Sequence, residues 1–256
     1  MDKTIVIIGA GNVATHLSMA LKNAGYPILQ LFSRKIDNAF TLASLVEAKA
    51  IDKLSDIERE ADLYIIAVSD VAIGQVVEAM PEVKGVVAHT AGSVDMDVLN
   101  RFARYGVIYP FQTLTKEKEL DFRKVPLLIE GNGSVARRIL LELANAISDH
   151  VQKANSAKRK TLHIGAVFSS NFVNHLYAIA YELLKKEGLD FSLLEPLIKE
   201  TTQKALTMSP IDAQTGPARR GDRAVMERHK ELLNSNSFYH EIYSILSESI
   251  SKMYAD

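Results

Sequence analysis

Short apolar runs alternate with stretches of helical periodicity through the first part of the chain. The β-branched run at 4–8 ends in glycines, and apolar side chains then recur every three or four positions over 13–21, which predicts a strand, a tight turn and a helix. A second apolar run at 27–32 completes a βαβ unit. The unbroken apolar run at 63–68 is typical of a strand buried on both faces of a parallel sheet.

The same alternation continues to residue 152 and predicts an α/β fold with a Rossmann-type, doubly wound parallel sheet. Further strands are expected at 85–89, 106–109, 125–130 and 150–152. Helices are expected at 37–48, 70–81, 94–105 and 134–148. Ser55 and Glu58 have the spacing of a helix-capping box, and Asp70 and Ser93 are also candidate helix caps.

Beyond residue 156 the pattern predicts helices and no strand, so we expect an all-helical C-terminal domain. This gives a dinucleotide-binding domain over 1–153 and a substrate and dimerisation domain over 154–256. The first C-terminal helix, 157–187, is apolar around most of its circumference and should therefore be buried on many sides. We expect a homodimer formed through these helices. The remaining helices are predicted at 192–208, with a capping box at its start, and at 222–233 and 238–253.

The charge balance of the 256 residues narrows the classes of partner. Thirty Lys and Arg residues stand against 31 Asp and Glu residues, so no overall field favours nucleic acid or an anionic membrane. The chain has no cysteine, which excludes disulfides and thiolate metal sites, and the histidines lack the spacing of metal ligands. Without a targeting segment or a long apolar stretch, the protein is expected to be cytoplasmic and away from membranes, with no bound metal.

The first turn carries the dinucleotide-binding fingerprint Gly9-x-Gly11-x-x-Ala14. Gly9 permits the tight turn, Gly11 lets a pyrophosphate approach the backbone, and Ala14 lets helix and strand pack closely. The alternative is a purely structural glycine turn. The predicted cofactor contacts in this turn are Gly9, Ala10, Gly11, Asn12 and Val13.

The residues after the second strand predict the choice of cofactor. NAD sites usually place an acidic residue here to accept a hydrogen bond from the ribose 2′-hydroxyl, whereas this chain has Ser33, Arg34 and Lys35. A serine can donate to a 2′-phosphate and an arginine can pair with it, so we expect NADP, with NAD as the second choice. The alternative reading is that the two cations are simply solvated.

The next two strands end in short polar segments where ligands of parallel sheets collect. We expect these segments to border the nicotinamide side of the cofactor. The residues concerned are Val68 and Ser69 after one strand, and Thr90, Ala91 and Gly92 after the other.

Five segments together resemble one protein family: 8–14, 89–93, 109–113, 169–172 and 216–222. It is a Rossmann-like bacterial family with a C-terminal helical domain of uncharacterised function. The family is similar to the superfamily of pyrroline-5-carboxylate reductase, ketopantoate reductase and 6-phosphogluconate dehydrogenase. The resemblance implies NAD(P) binding and a helical domain that often forms homodimers.

The resemblance does not supply the catalytic residues. Several superfamily dehydrogenases use a Lys-x-x-x-Asn pair on the first C-terminal helix, and this chain has no Asn four residues after Lys158, Arg159 or Lys160. His163 and Asn171 lie on one polar stripe of that helix and are candidates for proton donor and substrate orientation. Each could equally be a structural residue bonded to a neighbouring element.

Three further residues near strand and helix ends are candidates for the reaction. His89 ends a strand and is an alternative proton donor or a core residue, while the Tyr109 phenol either enters the cleft or packs beneath it. Arg220, in the segment 216–222, could bind a substrate carboxylate or phosphate, or form a surface ion pair. The sequence thus predicts an NADP-dependent oxidoreductase acting on a small carbonyl or imine acid. A non-catalytic NADP(H)-binding sensor is the alternative.

Overall fold

The computed structural model describes residues 3–255. The chain forms two compact units, Met1–Val167 and Phe168–Asp256. The predicted boundary at residue 153 coincides with the end of the last strand, and the first unit also retains the helix that follows it.

The first unit is built on an eight-stranded sheet in the order β3-β2-β1-β4-β5-β6-β7-β8. Adjacent strands are parallel except for the antiparallel pair β6 and β7. From β1 the chain adds β2 and β3 on one side of the sheet. It then returns to place β4 on the other side of β1 and continues outward from there, as in a doubly wound fold. The strands are β1 (Ile5–Ile8), β2 (Ile28–Phe32), β3 (Lys49–Ile51), β4 (Leu63–Ile66), β5 (Val86–His89), β6 (Tyr105–Pro110), β7 (Leu127–Gly131) and β8 (Val151–Lys153).

Five helices complete the first unit and give the sheet a core on each face. Ile5 and Ile7 of β1 pack in one apolar cluster with residues of the first, second and fourth helices, whereas Val6 and Ile8 pack in the other with the third. This two-sided burial explains why the strand is apolar at every position. The helices are α1 (Asn12–Asn23), α2 (Ile36–Val46), α3 (Asp70–Ala79), α4 (Ser134–Ile147) and α5 (Ser156–Ala166).

The predicted fold class is confirmed, but several local predictions are wrong. The helix expected over 94–105 is only a 3-10 turn, Met96–Leu99, which is capped by the Asp95 carboxylate, and β6 already begins at Tyr105 inside the predicted span. Strand β3 was missed because it has three residues and only one is buried. The antiparallel β7 was also not foreseen; such a pair needs no crossover helix.

Both capping boxes and two of the helix caps were also misplaced. Ser55 lies within a 3-10 turn, Leu54–Asp56, and caps no α-helix. Asp190 rather than Ser192 provides the side-chain cap ahead of the second C-terminal helix. Asp70 is the first residue of α3 and accepts a hydrogen bond from Ser93, so neither side chain serves as a helix cap.

A buried ion pair fixes α5 to the carboxyl edge of the sheet. The Arg159 side chain is fully buried, and its guanidinium lies 2.5 Å from a carboxylate oxygen of Glu130 on β7. The same guanidinium donates to the backbone carbonyls of Ala91 at 3.1 Å and Val94 at 2.6 Å. Ser156 donates through both its backbone N–H and its hydroxyl to Glu130. Arg159 therefore joins the ends of β5 and β7 to one helix.

The second unit is helical throughout its described residues. A π-helical turn, Val167–Phe172, follows α5 directly, so helical structure runs without a break across the predicted span 157–187. Asp222 caps its helix by accepting a hydrogen bond from the Val225 N–H. No helix within residues 3–255 is long and apolar enough to cross a membrane. The helices are α6 (Val173–Lys186), α7 (Glu195–Thr207), α8 (Pro210–Ala213), α9 (Pro217–Arg220), α10 (Arg223–Leu233) and α11 (Ser237–Met253).

The buried pair gives a stability prediction. Arg159→Met should lower the free energy of unfolding by about 3 kcal/mol or more, because it leaves the Glu130 carboxylate without its cation in a partly buried site. Arg138→Met is the matched control: Arg138 forms an exposed i,i+4 pair with Glu142, and its loss should cost about 0.5 kcal/mol or less. Urea denaturation measures both. Equal losses in the two variants would show that the Arg159 pair does not hold the fold.

Candidate functional site

The turn between β1 and α1 lies directly against the end of β4. Gly9 has a φ of +127°, and a Cβ there would come within 2.2 Å of the Ala67 carbonyl oxygen, so only glycine fits. A Cβ at Gly11 would instead meet no protein atom within 4 Å. Gly11 is the N-cap of α1 and has no capping side chain, and the first turn contains no acidic residue. The N–H groups of this turn are therefore suited to an anionic ligand.

A cleft of about 750 Å³ opens from this turn across the carboxyl ends of β1, β2 and β4. This is the point where the strand order reverses and where ligands of such sheets bind. Its lining contains two cations, Arg34 and Lys116, and no Asp or Glu residue. Nine of the thirteen predicted cofactor residues line it: Gly9, Ala10, Gly11, Asn12, Val13, Ser33, Arg34, Val68 and Ser69.

Arg34, which is predicted to select the cofactor, lies in the cleft, whereas its neighbour Lys35 does not. Arg34 is exposed, and within residues 3–255 no carboxylate forms an ion pair with it. Lys35 does not line the cleft; it occupies the N-cap position of α2, where its backbone N–H donates to the Ser33 hydroxyl oxygen at 3.4 Å. Of these two adjacent cations, only Arg34 therefore lines the cleft.

Sequence reasoning missed three polar residues of the cleft, Asn38, Gln75 and Lys116. Lys116 belongs to the long connection between β6 and β7, about a hundred residues after the glycine turn in sequence. Nothing in the local pattern of that segment indicates that it returns to α1. Asn38 and Gln75 lie on the helices predicted over 37–48 and 70–81, and no motif distinguishes them from the other polar residues there.

The Thr90-Ala91-Gly92 segment lies outside this cleft, at the end of β5. Gly92 is closely packed: a Cβ there would lie 2.7 Å from the Tyr109 hydroxyl oxygen and 2.8 Å from His163 Nδ1. The polar groups of this segment are used within the protein, since the Ala91 carbonyl accepts a hydrogen bond from Arg159 and Thr90 is buried. This strand end therefore forms a packed floor beneath Tyr109 and His163.

Tyr109 and His163 form a polar pair above that floor. The Tyr109 hydroxyl lies 3.0 Å from His163 Nδ1, which places a residue of β6 in hydrogen-bonding contact with one of α5. Burial raises the pKa of Tyr109, the charge of Asp70 adds to the shift, and Arg159 opposes it. The phenol therefore stays protonated at neutral pH. His163 thus lies beside Gly92, at the strand end that is predicted to border the nicotinamide.

His89 has a different environment. Its side chain is fully buried, Nδ1 accepts the Ala91 N–H at 3.1 Å, and Nε2 has no hydrogen-bond partner among the described residues. Burial, assisted by the nearby Arg159 charge, lowers the pKa of His89 to about 4. The imidazole is neutral at pH 7 and out of reach of solvent. This geometry favours the core-filling reading over the proton-donor reading.

Asn171 and Arg220 lie in the second unit. Asn171 is exposed within the π-helical turn, a feature that often occurs at functional sites. Arg220 is exposed at the end of α9, whereas the neighbouring Arg219 guanidinium lies 3.8 Å from the centre of the Tyr254 ring. Their roles in substrate binding stay predictions. Across residues 3–255, no group of three or more histidine or acidic side chains is arranged to hold a metal ion.

Comparisons with known proteins agree with this architecture. Residues 2–112 match the model of a Rossmann-like domain, and residues 125–250 match a domain of unknown function, DUF2520. A comparison with curated proteins gives no match.

Among solved structures, the protein BF3122 from Bacteroides fragilis, provisionally named an NADP oxidoreductase, is 41% identical over 98% of both chains, with a TM-score of 0.89. An imine reductase from Myxococcus stipitatus in complex with NADP+ is 15% identical over 97% of this chain and 93% of its own, with a TM-score of 0.68. A pyrroline-5-carboxylate reductase from Streptococcus pyogenes is 15% identical over 97% and 98%, with a TM-score of 0.64. At 15% identity these two likenesses concern the fold. The chain belongs to the same family as the Bacteroides fragilis protein, and in this chain the Rossmann-like domain precedes the DUF2520 domain.

Proposed function

We propose that this protein is an NADP-dependent oxidoreductase that transfers hydride to or from a small carbonyl or imine acid. The observation that carries the proposal is the cleft at the reversal of strand order, whose lining combines a glycine turn, an exposed Arg34 and no acidic residue. A nicotinamide cofactor bound there supplies the hydride chemistry, and the protein supplies binding, orientation and a proton.

The preference for NADP rests on the residues that follow β2. Arg34 can form a charge-assisted pair with a 2′-phosphate, and the Ser33 hydroxyl can donate to the same group. An acidic residue that would bind the ribose of NAD is missing from the lining of the cleft. The provisional name of the Bacteroides fragilis protein, an NADP oxidoreductase, supports the same choice.

The proton would come from the Tyr109 and His163 pair. Tyr109 lies near the carboxyl end of β6, and His163 of α5 lies beside Gly92 after β5. Strand β5 is next to β4, whose own end lines the cleft. When His163 Nδ1 carries a proton it donates to the Tyr109 oxygen, which leaves the phenolic O–H free to protonate a carbonyl oxygen or imine nitrogen. Nδ1 then returns a proton to the phenolate while Nε2 takes one from solvent, so that the imidazole ends neutral in its other tautomer. We further propose Asn171 and Arg220 as the groups that orient an anionic substrate.

A non-catalytic NADP(H)-binding sensor is the second candidate. The observation in its favour is the absence of the Lys-x-x-x-Asn pair: the residue four positions after Lys160 is Ile164, which is exposed. A screen of keto acids and cyclic imines for NADPH oxidation, run beside a direct binding titration, separates the two. Tight binding without turnover on any candidate favours the sensor.

Cofactor choice gives the first functional prediction. Wild-type protein should bind NADPH roughly ten- to a hundredfold more tightly than NADH, since a charge-assisted hydrogen bond contributes about 1.5–3 kcal/mol. Arg34→Asp should abolish or reverse this preference, because it removes the cation and introduces a carboxylate. Titration of both reduced cofactors at a stated salt concentration measures the effect.

Lys35→Ala is the matched control for Arg34, because Lys35 is the adjacent cation and lies outside the cleft lining. It should leave the ratio of the two affinities nearly unchanged. Equal wild-type affinity for NADPH and NADH would show that Arg34 is only a solvated charge.

The proton donor gives the second functional prediction. Tyr109→Phe should lower turnover by about 10²- to 10⁴-fold on a substrate found by the screen, while the NADPH dissociation constant changes little. Tyr105→Phe is the control, because Tyr105 lies on the same strand and its hydroxyl bonds Asp97 instead. Full turnover by the Tyr109→Phe variant would show that the phenol is not the proton donor.

We also propose that the protein is a homodimer formed through its C-terminal helices. Phe168, Phe172 and Leu176 are 66%, 50% and 38% exposed on the first helical stretch of the second unit. Light scattering at micromolar concentration should give twice the chain mass of 28.3 kDa, and Phe172→Glu should shift the protein toward the monomer. The exposed Val71→Glu in the first unit is the control. A monomeric wild type would contradict the proposal.

A further inference from the structure

The connection between β6 and β7 folds back onto the first helix of the chain. Asn12 Nδ2 donates to the Leu114 carbonyl at 2.8 Å, and His16 Nε2 donates to the Thr115 carbonyl at the same distance. Asn12 and His16 are one turn apart on α1, so two consecutive carbonyls of the connection are held along one side of that helix. The next residue in the chain is Lys116.

These two anchors bring Lys116 into the cleft that begins at the glycine turn. Its side chain is exposed, and within residues 3–255 no carboxylate forms an ion pair with its ammonium group, although Glu117 and Glu119 are close in sequence. Lys118, two residues further on, lines a separate shallow groove instead. The loop therefore directs one of its two lysines into the cleft.

The two cations of the cleft reach it from different elements. Arg34 follows β2, where the ribose end of a dinucleotide is expected, whereas Lys116 is anchored to the first turns of α1, where the diphosphate is expected. A diphosphate carries more negative charge than the partial positive charge of one helix terminus balances. A lysine can supply a full compensating charge.

We infer that residues 112–119 form a strap that places Lys116 against the diphosphate of the bound nucleotide, while Arg34 serves the 2′-phosphate. The inference rests on the proposed function for the class of cofactor. It assigns two separable tasks: Lys116 contributes to affinity for any dinucleotide, and Arg34 contributes to the choice between them.

Binding titrations with four ligands test this division: NADPH, NADH, ADP and 2′-AMP. Lys116→Ala should weaken NADPH, NADH and ADP by a similar factor of roughly three to ten, and leave 2′-AMP, which has no diphosphate, unchanged. Arg34→Ala should weaken NADPH and 2′-AMP alone. Lys118→Ala, in the same loop, should change none of the four. The Lys116 effect should shrink as salt is raised.

Each other outcome overturns a specific claim. An unchanged NADPH and NADH affinity in Lys116→Ala contradicts the strap, and a loss confined to NADPH and 2′-AMP reassigns Lys116 to the 2′-phosphate. A wild type that binds ADP through Lys116 but neither dinucleotide overturns the proposed function and leaves the phosphate contact standing. A wild type that binds none of the four overturns both.

The anchoring of the strap has its own test. His16→Leu removes one of the two anchors without touching a residue of the cleft lining. If the loop positions Lys116, His16→Leu should weaken NADPH and NADH equally, and the combined His16→Leu and Lys116→Ala variant should bind no worse than Lys116→Ala alone. Additive losses would show that the loop does not act through Lys116. Unchanged thermal midpoints confirm that both variants remain folded.

Discussion

The buried Arg159 guanidinium is the constraint on which the carboxyl edge of the sheet depends. A cation taken out of water needs a counterion and acceptors for its remaining N–H groups, and Arg159 finds them in Glu130 and in the carbonyls of Ala91 and Val94. These partners come from β7 and from the segment after β5, so the pair fixes α5 relative to both. His163, one turn after Arg159 on α5, thereby takes a fixed position beside Tyr109.

Two glycines allow the other close approaches on which the site depends. At Gly9 the missing side chain lets the β1–α1 turn lie against the end of β4, and at Gly92 it leaves room for Tyr109 and His163 to meet. Glycine is required at position 9 by the backbone conformation as well as by the lack of space, because the φ of Gly9 is positive. At position 92 it is required by the lack of space alone. Both glycines lie at the same edge of the sheet, one after β1 and the other after β5.

Structural features that depend on a local pattern could be predicted from the sequence. Features that depend on contacts between residues far apart in the chain could not. Buried parallel strands such as β1 and β4 leave an unbroken apolar run, and the glycine fingerprint fixed the position of the cleft. The helix expected over 94–105 is replaced by a short 3-10 turn and the start of β6, because β6 pairs with β5 and β7, which are distant in sequence. Lys116 could not be found, because its place depends on hydrogen bonds to Asn12 and His16 about a hundred residues away.

The near-neutral charge of the chain does not describe its cleft, from whose lining acidic residues are absent. With 30 basic and 31 acidic residues distributed at random, a cleft of this size would be expected to include some carboxylates, yet its lining has two cations and no acid. Because charges further away than about 8–10 Å are largely screened at physiological salt, the lining decides which ligand the cleft accepts. The exclusion of carboxylates matters as much as the two cations, since one acidic side chain beside Arg34 would cancel its attraction for a phosphate. A binding site for an anion can therefore be built in a protein whose overall charge gives no sign of it.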